Sequence, residues 1–242
     1  MYLTFQKGQI FKHIIDNCKD VVDMTIINVN KDGLYINAID PSHISLINLQ
    51  LPTSGFKRFD CKEEMRFGVS LKTISAILKC SEKEDTLSII AKEDSDTLEF
   101  RFESEAKSVS IHMKILDIVM DELLVPDMEY ECIFSLDSKL FNKICSDLAS
   151  IGDTCTIQTN NETTFKVSGE IGDAHFTYAF NMMKTHILDM KYSMRYLQLF
   201  AKAYHVSNLV TISMIKDQPI KFEYIIENIG TIKYYLAPVL DD

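Results

Sequence analysis

A pair of short amphipathic helices written twice into one chain limits the fold more than any other feature. Residues 7–19 place Phe11, Ile14, Ile15 and Cys18 on one stripe, and residues 71–80 do the same with Leu71, Ile74, Ile77 and Leu78. In the second half, residues 138–150 carry Phe141, Ile144, Cys145 and Leu148, and residues 192–204 carry Met194, Leu197, Phe200 and Ala201. A displacement of 130 positions superposes Phe11 on Phe141, Ile14 on Ile144, Ile15 on Cys145, Cys18 on Leu148, His13 on Lys143 and Val21 on Ile151. A displacement of 123 superposes Leu71 on Met194, Lys72 on Arg195, Ile74 on Leu197 and Lys79 on Lys202. Matching apolar positions follow from amphipathicity alone; matching cations do not. Two structural repeats, each with two helices, are the economical reading.

Strand patterns fill the rest of both halves: 24–30, 34–39, 43–50, 86–91 and 97–103, then 131–136, 154–159, 163–169, 209–214, 220–226 and 232–236. These are short β-branched or aromatic runs separated by Asp, Asn, Gly and Ser. Their connections are too short for helical crossovers, so the sheets are expected to be antiparallel and the class α+β. Between the repeats, Ile115, Leu116, Ile118, Val119, Leu123, Leu124 and Val125 share no single period. Residues 113–130 therefore read as an extended connecting segment with exposed apolar groups, a place for a partner; a short helix stopped by Pro126 is the alternative. The expected domains are 1–112 and 131–242.

Charge adds a functional constraint. The chain carries 35 acidic against 25 basic residues, a net charge of −10, so a uniformly charged surface would repel nucleic acid. Yet Lys12 with Lys19, Lys72 with Lys79, and Arg195 with Lys202 recur at a seven-residue spacing, which offsets two helical positions by only about 20°. Cations are thus gathered on helix faces. The polyanion such faces meet without regard to sequence is a phosphate backbone. Asp16 lies beside the first pair, and a solvated charged face is the competing reading for any one helix.

Enzyme signatures are missing: the chain has no GxSxG, GxxxxGK[ST], GxGxxG or HExxH. Its six histidines are scattered, and the Glu93, Asp94 and Asp96 cluster reads as a turn, not a calcium loop. The six cysteines form no CxxC pair and read as reduced thiols. Without a signal-peptide core or a run of about 20 apolar residues, the expectation is a soluble intracellular protein with no cofactor, no metal and no membrane partner. An enzyme using Cys80 or Cys145 with a distant histidine is the alternative from another class; both cysteines fall on apolar stripes, which argues for core.

Several blocks carry a family resemblance. Ile39-Asp40-Pro41-Ser42-His43-Ile44-Ser45-Leu46, Gly68-Val69-Ser70-Leu71 with Ile77-Leu78-Lys79-Cys80, Asp96-Thr97-Leu98, the run ICSDLASIGD at 144–153, Ser168-Gly169-Glu170, and the ending Ile232-Lys233-Tyr234-Tyr235-Leu236-Ala237-Pro238 closely resemble the proliferating cell nuclear antigen family, the eukaryotic DNA sliding clamps. The resemblance covers nearly the whole chain. It implies a DNA clamp fold of two pseudo-repeat domains, three copies of which close head to tail into a homotrimeric ring around duplex DNA. It implies DNA-facing positions at Lys12, His13, Lys19, Lys72, Lys79, Lys143, Arg195 and Lys202. It further implies a pocket for glutamine-led, aromatic-paired peptides of DNA polymerase, flap endonuclease, DNA ligase and clamp loader, formed by Ile39, His43, Ile44, Leu46, Leu123, Val125, Pro219, Tyr235, Ala237 and Pro238. The site of action implied is the nucleus, or a viral replication site.

The chain departs from the family's pattern in places. Asn161 stands where the ubiquitin-accepting lysine would fall, and Ile111 where an aromatic is common at the subunit boundary. Residues 181–192 are shorter and less acidic than the family's loop. Strands near 108–113 and 173–178 are the expected edges that pair between subunits. A specialised or checkpoint-type clamp that works only in a heterotrimer is the alternative within the family.

Overall fold

The computed structural model describes residues 1–92, 95–119 and 128–240. It divides into two compact units, the described residues of 1–38, 48–123 and 226–231, and those of 39–47, 124–225 and 232–242.

The first repeat runs β1 (Tyr2–Phe5), α1 (Gly8–Cys18), β2 (Met24–Asn30), β3 (Gly33–Ile39), β4 (Ser45–Pro52), β5 (Arg58–Asp60), β6 (Met65–Ser70), α2 (Leu71–Leu78), β7 (Thr86–Ile90), β8 (Thr97–Glu103) and β9 (Ser108–Lys114). The second runs β10 (Cys132–Asp137), α3 (Ser138–Ala149), β11 (Thr154–Thr159), β12 (Thr163–Gly169), β13 (Gly172–Tyr178), β14 (Asn181–Lys184), β15 (Leu188–Ser193), α4 (Met194–Ala201), β16 (Leu209–Met214), β17 (Ile220–Ile226) and β18 (Gly230–Leu236). One strand order serves both. The five strands β5-β1-β7-β8-β9 have their counterpart in β14-β10-β16-β17-β18, and β6-β2-β3-β4 in β15-β11-β12-β13. The pairings that are described are antiparallel. The α+β expectation holds.

The repeat reaches individual backbone bonds. Gly8 N donates to Asp85 O at the start of α1, and Ser138 N to Asn208 O at the start of α3, both at 2.9 Å. Leu71 N donates to Asp23 O at the start of α2 (2.7 Å), and Met194 N to Asp153 O at the start of α4 (2.9 Å). Every one of these residues maps onto its counterpart by the displacement of 130 or 123. Each bond satisfies an N–H that a helix start leaves without an intrahelical partner. Side chains do the same where the sequence supplies a cap: Ser70 Oγ accepts from Thr73 N (3.1 Å) and Asp137 Oδ1 from Leu140 N (2.9 Å).

The helix stripes are the cores. Phe11, Ile14, Ile15 and Cys18 of α1, and Leu71, Ile74 and Leu78 of α2, are completely buried, each contributing about 1.5–3 kcal/mol if fully removed from water. In the second unit Phe141 stacks on Phe222 (5.4 Å) and Phe200 on Tyr234 (4.6 Å). Gly169 ends β12 against the turn after α3, where a Cβ would overlap the carbonyl oxygen of Ile151. Gly169→Ala is therefore expected to cost about 2 kcal/mol, read as a lower urea midpoint; an unchanged midpoint would refute the close approach.

Some expectations need correction. Tyr192 and Ser193 complete β15 and do not open the fourth helix: they pair with Cys155 and Thr154, and the helix begins only where Met194 N finds Asp153 O. Its last turn, Lys202–His205, is a 3-10 turn. Helix α2 stops at Leu78, leaving Cys80 exposed and off the core stripe. His43 sits in a turn with φ 57°, so β4 starts at Ser45, not 43. Met113 and Lys114 complete β9, and Leu116 N bonds Gly68 O at 2.8 Å, so the first residues of the connecting segment are still held by the strands of the first repeat. Glu93 and Asp94, and with them Leu123, Leu124, Val125 and Pro126, lie outside the described residues.

Candidate nucleic-acid interface and peptide pocket

In the first unit α1 packs on α2, which sets four cations on one helix pair. Lys12 is half-buried on α1, and Lys72 and Lys79 are exposed on α2. Lys19 and Lys79 cap the C-termini of their helices, where a cation also complements the helix dipole. Lys19 is held: its Nζ donates to Asp16 Oδ1 (2.6 Å) and Ser75 Oγ (2.9 Å), and Ser75 donates to the same carboxylate oxygen (2.6 Å). Burial pushes the Asp16 carboxyl up, but hydrogen bonds from Lys19 and Ser75 and the charges of Lys19 and Lys12 outweigh it and hold Asp16 below its usual range. Asp23 behaves alike. Burial raises it, and hydrogen bonds from Ser70 Oγ (2.8 Å) and Lys72 N (3.3 Å), with Lys72 Nζ at 3.3 Å, bring it down. His13 Nε2 lies 3.5 Å from Gln9 Nε2.

In the second unit α3 packs on α4. Lys143 is 70% exposed and paired one turn on with Asp147 (2.6 Å). Arg195 is exposed, its guanidinium 5.6 Å from the Tyr196 ring centroid. Lys202 caps α4 and is exposed. Each helix pair thus presents exposed cations at repeat-related positions, Lys72 with Arg195 and Lys79 with Lys202, while Lys12 and Lys19 of the first pair are half-buried. Several of these cations have an acid within reach: Asp16 beside Lys19, Asp23 beside Lys72 and Asp147 beside Lys143. Surface pairs of this kind are individually weak and screened by salt.

The predicted pocket residues lie in the second unit where the structure describes them. Ile44 is 40% exposed, and Ile39, Leu46, Pro219, Tyr235, Ala237 and Pro238 are half-buried, with His43 exposed. Leu123 and Val125 are outside the described residues. Main-chain bonds draw the parts together: Ala237 N donates to Ile44 O (2.9 Å), and Val239 N to Lys191 O (2.8 Å). Along β18 the tyrosines alternate: Tyr234 is buried against Phe200 and Tyr235 faces outward.

Asp40, which sequence reasoning placed in a motif but gave no role, organises this rim. It is only 3% exposed. Oδ1 accepts from Ile44 N (2.8 Å) and Ser45 N (2.6 Å), and Oδ2 from Ser42 N (3.0 Å) and the Tyr196 hydroxyl (2.7 Å). Burial raises the Asp40 carboxyl, yet these donors more than offset it and hold it below the ordinary value. A visible hint was the Asp-Pro-Ser-His run itself, the composition of a turn in which Asp bonds the following backbone. Nothing local pointed to Tyr196.

No group of three or more His, Cys, Asp or Glu among the described residues could hold a metal ion, and no described helix is long and apolar enough to cross a membrane. Of the two candidate nucleophiles, Cys145 is buried and burial pushes its thiol well up, which disfavours the thiolate, while Cys80 is exposed.

Comparison with known families agrees with this geometry. A model described as proliferating cell nuclear antigen, N-terminal domain, matches residues 1–123, and one described as proliferating cell nuclear antigen, C-terminal domain, matches residues 124–239. With four helices among the described residues, a doubled antiparallel strand order and both family models in sequence, the chain belongs to the proliferating cell nuclear antigen family of DNA sliding clamps.

Proposed function

We propose that this clamp is a processivity factor and recruitment platform, a homotrimeric ring that encircles duplex DNA and holds replication and repair proteins at it. The observation that carries the reading is the repetition of cations at corresponding helix positions, Lys72 with Arg195 and Lys79 with Lys202, on helices anchored by corresponding backbone bonds. With Lys12, His13, Lys19 and Lys143 they form the inner face. Contacts of this kind select no base, so the ring slides.

Ring closure has a physical rationale in the strand order. Strands β9 and β13 are sheet edges, the repeat counterparts of β18 and β4, and an open ladder is satisfied by pairing with another copy. Two domains, 1–112 and 131–242, joined by 113–130, then give six similar units per ring. Polymerase, flap endonuclease, ligase and clamp loader dock by aromatic-paired peptides in the pocket of Ile39, His43, Ile44, Leu46, Leu123, Val125, Pro219, Tyr235, Ala237 and Pro238. Their retention raises the effective concentration at the primer end. The proposed location is the nucleus, or the replication site of a virus if a virus encodes it.

Primer extension on a long template tests this. With the clamp loaded, a polymerase whose tail carries the peptide is expected to make much longer products per binding event, and removing the peptide should abolish the gain. Equal product lengths with and without clamp would contradict the proposal.

A further inference from the structure

Beside the proposed pocket, neighbouring strands β17 and β18 present a row of outward side chains. Lys221 and Glu223 alternate with buried Ile220 and Phe222, and Lys233 and Tyr235 with buried Ile232 and Tyr234. One carboxylate serves both lysines: Lys221 Nζ is 3.2 Å from Glu223 Oε2 and Lys233 Nζ is 3.7 Å from Glu223 Oε1. Lys221 Nζ also lies 4.7 Å from the centroid of the Tyr130 ring. The cluster is therefore left with a net positive charge. Its lysine side chains are only 16% and 25% exposed, so little rotamer freedom remains to be lost on binding.

Position makes this charge relevant to the pocket. Lys221 is two residues from Pro219 and Lys233 two from Tyr235, about 7 Å along a strand. The other charges next to these strands are Glu131, which accepts from Lys216 N (3.2 Å), Lys216 and Asp217 in the turn before β17, Glu129 beside Tyr130, and Glu227 beyond the far end of β17.

We propose that Lys221 and Lys233, steadied by Tyr130 and Glu223, form an acid-reading extension of the peptide pocket, occupied by an Asp or Glu of a client segment within about two residues of its aromatic pair. The inference rests on the pocket reading above. Charge at an interface rim discriminates between partners more than it adds affinity, so its effect is a preference among clients.

The test is fluorescence polarisation on the whole protein with two synthetic peptides sharing one aromatic pair, one flanked by Asp and Glu and the other by Ser and Asn. At low salt the acidic peptide is expected to bind about fivefold tighter. High salt and the variants Lys221→Gln and Lys233→Gln should each shrink that ratio toward one while leaving the neutral peptide's affinity unchanged. Equal binding of both peptides would overturn this inference and leave the pocket standing. Weakening of both peptides alike by Lys221→Gln would also overturn it, reducing Lys221 to a pin for Tyr130. Binding of neither peptide would overturn the pocket reading itself.

Discussion

Replacing Asp40 by Ala should weaken client-peptide binding and destabilise the second unit in the same stroke. Removal of the carboxylate leaves the N–H groups of Ser42, Ile44 and Ser45 and the Tyr196 hydroxyl without their acceptor, in a place where Asp40 is 3% exposed. An orphaned buried donor costs about 1–3 kcal/mol, so even with partial rehydration a loss of about 3 kcal/mol is expected from urea unfolding. The rim would then suffer a second penalty, because Ile44, whose carbonyl receives Ala237 N, is no longer held before the peptide arrives; affinity should fall about tenfold or more. The isosteric Asp40→Asn keeps the shape and removes the charge: its one amide oxygen cannot replace two carboxylate oxygens, and its NH2 would face donors on the other side. The pH dependence has a definite sign. With its folded value depressed, the Asp40 carboxyl contributes stability that is present above its unfolded value of about 4 and is lost as pH falls through the folded one. The acid limb of the stability curve should therefore be shallower in Asp40→Asn. Wild-type stability and peptide affinity in both variants would contradict this role.

The second large effect concerns the helix faces. Lys72→Ala, Lys79→Ala, Arg195→Ala and Lys202→Ala together should lower affinity for a short linear duplex by about two orders of magnitude at low salt, and reduce the slope of log affinity against log salt by about 0.9 for each phosphate no longer neutralised. The four are exposed and not part of either core, so the fold should survive, apart from a small loss where Lys79 and Lys202 cap α2 and α4. Peptide affinity should not change, because the pocket uses other residues. Because Asp23 accompanies Lys72 and Asp147 accompanies Lys143, the wild-type slope should itself be smaller than the number of cations suggests. Unchanged duplex affinity in the quadruple variant would remove the assigned inner face.

How legible this was in the sequence depended on distance along the chain. The four helix stripes and the alternating strands are local patterns, and they appear where periodicity put them, from Phe11 to Cys18 and from Thr97 to Glu103. Strands β5 and β14, of three and four residues, are too short to show an alternation; β6 hides behind Gly68, which is a poor strand former yet packs where a side chain would meet Leu116. Tyr192 read as helix because its spacing to Met194 and Phe200 suits a stripe, but pairing with β11 claimed it for a strand. In the candidate site the cations were visible as a spacing. Their acids were not: Asp23 reaches Lys72 from 49 positions away, and Tyr196 reaches Asp40 from 156. Long-range partners of this kind follow from the tertiary fold and leave no local trace.

Ring closure around DNA is measured most directly by the mass of the protein in solution together with its retention on loaded DNA. A mass of three chains is expected, and a protein that stays on closed circular DNA through a high-salt wash but runs off once the circle is cut. A monomer at high concentration, or equal release from circular and linear DNA, would contradict it.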